Sequence, residues 1–273
     1  MSFGIDAFRT QGPVLCVGLD PSPAILEAWD LPDSAEGLGH WVARVGEALA
    51  DSGVNVVKPQ VAFFERHGIQ GMRALAQLQA SLRAEGVFVI ADTKRGDIGT
   101  SVEGYAHAWL TPGADFEADA MTLHPFHGTQ SLASAFELAH AHQKTVFVLA
   151  ATSNPEAFGI QSALSAGGET VSRSIVSEIS GYVRDHHLDR SAIGVVIGAT
   201  ANHEALGLRL ETAPDMPILA PGYGAQGADL SLVSKHFPHS NLVFPVSARA
   251  LLDGGVEEFQ TRVEAARNQV ATA

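Results

Sequence analysis

The chain has 273 residues, 46% of them hydrophobic and 17% charged, enough core material for one large α/β domain or two small ones. Its net charge of −13, from 30 acidic and 17 basic residues, argues against a surface for nucleic acid or anionic membrane, although a few focused cations could still hold one small anion. A single cysteine excludes an intramolecular disulfide, and no apolar run approaches the roughly 20 residues of a membrane span.

The first residues, MSFGIDAFRT, lack a basic segment followed by an apolar one, so no secretory signal is expected. Together with the lone cysteine this predicts a soluble, cytoplasmic protein. The first apolar run, VLCVGLD (14–20), predicts a strand with Cys16 as a core filler. Leu38, Trp41, Val42, Val45 and Leu49 then recur at helical spacing. VNVVKPQ (54–60) is the second strand. Met72, Leu75, Leu78 and Leu82 mark another helix, with Gly86 as its C-terminal cap. VFVIADTK (87–94), AMTLHP (120–125) and TVFVLAAT (145–152) follow as strands. A helix is expected around Val171, Ile175, Val176 and Ile179. After AIGVVIGAT (192–200), a short, faint helical pattern covers His203 to Leu210. PILAPG (217–222) and NLVFPVS (241–247) complete eight runs.

Most runs are continuously apolar, as parallel strands covered on both faces should be. Eight strand–helix units predict a single-domain (β/α)8 TIM barrel, with an open doubly wound sheet as the competing architecture. No linker or composition break points to a second domain. In a barrel the active site lies at the C-terminal ends of the strands. Polar residues cluster there. Run one ends in Asp20, run two reaches Lys58, and run three ends in Asp92 and Lys94. Run five leads into Ser153, run seven into Pro221 and GYGAQG, and run eight into Ala248 and Arg249.

Residues two apart on a strand share a face, so Asp92 and Lys94 should meet. Asp97 lies three residues beyond Lys94, outside that register, and is free to point into a neighbouring subunit. Arg95 is expected to pair with a carboxylate. His124 and His127, in H-P-F-H, have no third ligand nearby and make a poor metal site. Trp29, Trp41 and Trp109 read as packing residues, and His186 and His187 as a solvated helix end.

The stretch DTKRGDIGTS resembles the Asp-x-Lys-x-x-Asp-Ile-Gly signature of the orotidine 5′-phosphate decarboxylase family. GLDPSP, VVKPQVAFFE, ATSNPEA, APGYGAQGAD and PVSARALL extend the resemblance over nearly the whole chain, which is most similar to the longer bacterial branch. The resemblance implies decarboxylation of orotidine 5′-monophosphate to uridine 5′-monophosphate without metal or organic cofactor. It makes Lys94 the general acid for the ring carbanion. Asp92 lies near the substrate carboxylate, where it either repels the ground state or orients Lys94. Lys58 binds Asp92 and the ribose, and Asp20 also binds the ribose hydroxyls. Ser153 reads the pyrimidine edge, with a turn or helix cap as its plainer role. Gln226 bridges base and phosphate, and Arg249 and the glycine-rich turn hold the phosphate. Gly222 to Gly227 would begin a mobile loop.

The same resemblance implies a homodimer with shared sites, in which Asp97 and Ser101 act in the partner's site. Ser101 stands where the shorter branch usually has threonine, and it keeps the hydroxyl. Two alternatives stay open: a Mg2+-dependent sugar-phosphate enzyme of the same barrel superfamily, and a non-catalytic nucleotide-binding barrel.

Overall fold

The computed structural model describes residues 4–9, 11–50 and 52–273. The first three residues, on which the reading of the N-terminus partly rests, lie outside the described residues. The apolar runs form β1 (Cys16–Leu19), β2 (Val56–Pro59), β3 (Phe88–Arg95), β4 (Ala120–Leu123), β5 (Thr145–Ala151), β6 (Ile193–Ile197), β7 (Ile218–Pro221) and β8 (Val243–Ser247). Neighbours pair in parallel in chain order, and β1 pairs with β8, so the sheet closes into a barrel. Closure sets aside the open doubly wound sheet.

Helices occupy the connections. They are α1 (Pro23–Ala28), α2 (Ala35–Ala50), α3 (Val61–Glu65), α4 (Gly68–Ala84), α5 (Gly99–Leu110), α6 (Ala133–Ala141), α7 (Phe158–Gln161), α8 (Val171–Asp185), α9 (Val233–His236), α10 (Arg249–Leu252) and α11 (Gly255–Ala271). None is long and apolar enough to cross a membrane among the described residues. Gly86 follows α4 at φ +83, as a left-handed helix terminator should. The segment from His203 to Leu210 is a correction to the sequence reading. It forms a single turn, ended by Gly207 at φ +62, and only a short 3-10 turn follows at Leu210–Thr212.

The strand period of two divides the core into two clusters. Val17, Val57, Val89, Met121 and Val146 face outward and pack beneath the helices. Cys16, Val56, Phe88, Ile90, Phe147 and Phe244 face inward. The turn Ile5–Phe8 plugs the N-terminal end, with Phe8 edge-on to Phe88 and Phe244 at ring-centroid distances of 5.8 Å each. Cys16 is fully buried in this cluster, and burial pushes its thiol far above the usual range, so it fills space as expected. Trp29 and Trp41 are buried against each other. The Trp29 indole N–H donates to the Leu252 carbonyl at 2.9 Å, tying α1 to α10 across the closure of the barrel.

At the N-terminal face a second charge cluster joins α4 to the starts of β4 and β5. Lys144 donates to Glu117 at 2.8 Å and to Asp119 at 3.2 Å. Arg83 reaches the same two carboxylates at 2.5 and 3.1 Å. Burial alone would raise the Glu117 carboxyl, but Lys144, the Gly113 N–H and Arg83 outweigh it and bring its pKa to about 2. A depressed carboxyl stabilises the fold above its unfolded pKa, about 4.3, and loses that contribution as pH falls toward its folded value. Glu117→Gln should therefore lower the urea midpoint near neutrality and flatten its decline between pH 4.5 and 2. An unchanged slope would show that the cluster does not govern acid sensitivity.

Candidate active site

The inward alternation that builds the apolar floor continues upward into charge. On β1 the inward series runs Cys16, Gly18 and then Asp20, just past the strand. On β2 it runs Val56 and Lys58, and on β3 it runs Phe88, Ile90 and Asp92. Gly18 pairs with Lys58 across the β1–β2 ladder. A Cβ on Gly18 would come within 2.5 Å of the Ala248 Cβ, so glycine lets the end of β8 close against β1. The plugged floor leaves Lys58 and Asp92 at only 5% and 6% exposure, held by each other and by the groups above them.

Asp92 is the centre of the site. Its Oδ2 accepts from Lys58 Nζ at 2.6 Å. Its Oδ1 meets Lys94 Nζ at 2.6 Å and accepts from the Thr122 hydroxyl at 2.8 Å. The β3–β4 register shifts between Ala91 and Arg95, and within that irregularity Lys94 takes φ +46. A non-glycine residue in this region carries backbone strain, which persists only where the surroundings over-determine it. Here the strained residue turns its ammonium back onto the carboxylate two positions earlier.

The electrostatics follow from burial opposed by opposite charge. Burial would raise the Asp92 carboxyl, but Lys58 and Lys94 outweigh it and hold it well below the usual carboxylate range. Burial disfavours charge on Lys58, yet Asp92 and Asp20 keep its ammonium above the usual lysine range. Lys94 goes the other way: burial, aided by Lys58, lowers it despite Asp92. The site thus holds one ammonium shifted above the usual lysine range and one shifted downward. Burial raises Asp20, whose Oδ1 is buried without a hydrogen-bond partner among the described residues. A buried carboxylate oxygen without a partner has acceptor capacity left unmet.

These groups line one cavity of about 330 Å3 at the C-terminal end of the barrel. Asp20, Lys58, Asp92, Lys94, Ser153 and Pro221 are all on its wall, as are Gln226, Ala248 and Arg249. The Ser153 hydroxyl donates to Gln226 Oε1 at 2.9 Å, joining the loop after β5 to the glycine-rich turn after β7. In that turn Gly222, Gly224 and Gly227 adopt φ +119, +78 and +96, which side-chain-bearing residues rarely tolerate. The Arg249 side chain is exposed and makes no ion pair among the described residues. Arg249 and this turn both line the cavity.

Asp97 and Ser101 do not join this group. Asp97 is half-buried at the start of α5, where its Oδ1 accepts from the Ile98 N–H at 2.8 Å. Ser101 is exposed on the first turn of α5. Arg95 pairs with Glu65, as expected. The His124 and His127 rings lie 6.3 Å apart, and among the described residues no group of three or more His, Cys, Asp or Glu could hold a metal ion.

Sequence reasoning missed Thr122, Gln60 and the apolar floor. Gln60 Oε1 accepts from Lys94 Nζ at 3.3 Å. Leu149, Val196, Leu219 and Val246 present aliphatic surface to the cavity. Alternation could have found Thr122, which lies two residues past the inward Ala120. The four aliphatic residues resembled any other part of a buried strand.

The chain is similar to known proteins over nearly its whole length. Residues 13–236 match the Orotidine 5′-phosphate decarboxylase / HUMPS family. The chain is 43% identical over 264 residues to the orotidine 5′-phosphate decarboxylase of Corynebacterium efficiens, covering 95% of this chain and 91% of the relative. It is 42% identical over 270 residues to that of Salinispora tropica, covering 97% and 95%. A Streptomyces avermitilis structure assigned as an orotidine 5′-phosphate decarboxylase superposes with a TM-score of 0.89 at 35% identity, covering 100% of this chain and 97% of that one. The Leishmania donovani OMP decarboxylase structure gives 0.73 at 25% identity, covering 97% and 99%. With barrel, charge cluster and near-full-length similarity in agreement, the chain belongs to the orotidine 5′-phosphate decarboxylase / HUMPS family.

Proposed function

We propose that this protein decarboxylates orotidine 5′-monophosphate to uridine 5′-monophosphate and CO2, the last step of de novo pyrimidine nucleotide synthesis. The observation that carries this reading is the Lys94 ammonium, 2.6 Å from the locked carboxylate of Asp92 on the wall of a nucleotide-sized cavity. Loss of CO2 breaks the bond to the ring carbon and leaves its electron pair in the ring plane, beyond the reach of ring resonance. An adjacent ammonium stabilises that charge as it forms and then delivers a proton to the carbon. The lowered Lys94 suits the donor role. Asp92 stays ionised because Lys58 holds it, so Lys94 can give up its proton without leaving an unpaired buried carboxylate.

The remaining residues are given binding roles. The ring lies on Leu149, Val196, Leu219 and Val246, and Ser153 and Gln226 read its polar edge. Asp20 and Lys58 take the ribose hydroxyls, with the buried, unpaired Oδ1 of Asp20 as the support. Arg249 and the turn from Gly222 to Gly227 hold the phosphate, and Pro221 and Ala248 shape the walls around it. Phosphate binding can order that turn over the substrate, so that remote binding energy serves the chemistry. The reaction in this reading needs no metal or organic cofactor. Lys58 stands at the end of β2, where a positive charge repels a divalent cation. Asp97 and Ser101, which lie off the cavity, serve the neighbouring copy's site in a homodimer.

Purified protein in EDTA should consume orotidine 5′-monophosphate, with loss of the orotate absorbance. Lys94→Ala should lower kcat/KM by at least about 10³-fold. In wild type, kcat/KM, which reports the free enzyme, should fall as pH rises through the titration of Lys94, at a midpoint below the usual lysine value of about 10.4. Turnover that survives Lys94→Ala would overturn the assignment. No turnover of the nucleotide, with turnover of a sugar phosphate once Mg2+ is added, would move the chain to the other arm of its family.

Shared sites have their own test. Lys94→Ala and Asp97→Ala subunits, each nearly inactive alone, are mixed and allowed to exchange. One restored site per heterodimer should return about a quarter of wild-type activity. No recovery despite demonstrated exchange would place Asp97 outside the partner's site.

A further inference from the structure

Thr122 holds no role in the reading above, yet it faces the segment that carries the charges. The β3–β4 ladder pairs Ala91 with Met121 and next pairs Arg95 with Leu123. Asp92, Thr93 and Lys94 therefore lie opposite the single residue Thr122. A regular ladder cannot satisfy three residues with one, and the interior offers little water to help, since Thr122 is 1% exposed.

Thr122 serves all three. Its hydroxyl donates to Asp92 Oδ1 at 2.8 Å. The same hydroxyl oxygen accepts the Lys94 N–H at 2.9 Å. Its main-chain carbonyl accepts from the Thr93 hydroxyl at 2.6 Å. A hydroxyl has one proton and two lone pairs, so donating to the carboxylate leaves it free to accept from the amide. Lys94 needs this anchor, because its φ of +46 is a conformation the chain would otherwise leave. The Thr122 oxygen thus bonds at once to the carboxylate and to the backbone of the lysine that pairs with it.

We infer that Thr122 is a positioning residue for the decarboxylation: its hydroxyl locks the bulge in β3 that sets the Lys94 ammonium against Asp92. The inference rests on the proposed reaction at this site. It assigns Thr122 no contact with the reacting atoms. Its effect passes through Lys94, so it belongs in kcat rather than in substrate affinity.

The test compares Thr122→Val, which keeps the shape and removes the hydroxyl, with Thr122→Ser, which keeps the hydroxyl and removes a methyl. Thr122→Val should lower kcat by roughly 10- to 100-fold with KM little changed, because small misplacements of a reacting group have effects of that size. Thr122→Ser should recover most of the loss. If the valine variant does not fold, Thr122→Ala makes the same comparison. A second readout needs no substrate: the pH dependence of Lys94 modification by acetic anhydride, followed by mass spectrometry. Its midpoint should fall in Thr122→Val, as the ammonium drifts from its carboxylate, and return in Thr122→Ser. Wild-type kcat and an unmoved midpoint in Thr122→Val would overturn the inference. Equal losses in the valine and serine variants would also overturn it, since packing rather than the hydroxyl would then be responsible. If wild type does not turn over orotidine 5′-monophosphate, the reaction assigned to the site falls, and the modification midpoint alone decides the role of Thr122.

Discussion

The site depends on one ionised carboxylate held between two ammonium groups above a dry barrel floor. Asp92 has almost no contact with water, and burial alone would drive it to neutrality. Lys58 and Lys94, each 2.6 Å away, reverse that preference. Removing Lys58, the buried partner, costs roughly 3–5 kcal/mol, because the charge left behind has too little to answer it. The arrangement is therefore a costly one as stabilisation alone. In the proposed reaction Asp92 stays charged throughout, and Lys94 loses a proton while Lys58 maintains the balance.

The fold meets this constraint locally. Lys58 and Asp92 come from neighbouring strands in ordinary inward positions. Lys94 sits within the register shift in β3, at φ +46. The apolar plug around Phe8 and the charge cluster around Lys144 secure the opposite end of the barrel. The packed plug thus lies at the N-terminal face and the cavity at the C-terminal face, the usual division in barrels of this kind. The loops after β5 and β7 meet through Ser153 and Gln226, so the groups assigned to base and phosphate are already in contact.

Much of this was legible in the residues, for identifiable reasons. Continuous apolar runs reported strands buried on both faces, and polar residues at their ends reported the mouth of the barrel. The meeting of Asp92 and Lys94 followed from strand periodicity, although the backbone reaches it through a bulge that periodicity does not describe. Thr122 remained hidden because AMTLHP reads as plain strand, and its role arises only where β3 and β4 lose register. The helical pattern at His203 to Leu210 failed because Gly207 ends the turn after one cycle. Asp97 was separable from the cluster by its spacing, and the structure places it off the cavity at the start of α5.

The most direct test of the central carboxylate is its titration in the folded protein. The Asp92 carboxyl carbon can be followed by NMR in protein carrying 13C-labelled aspartate, with Asp92→Asn identifying its signal. The account predicts that Asp92 titrates below the ordinary aspartate value of about 3.9 for as long as the protein stays folded. A midpoint at or above that ordinary value would contradict it, because burial would then outweigh the two lysines and the site would hold a neutral acid in place of a fixed charge.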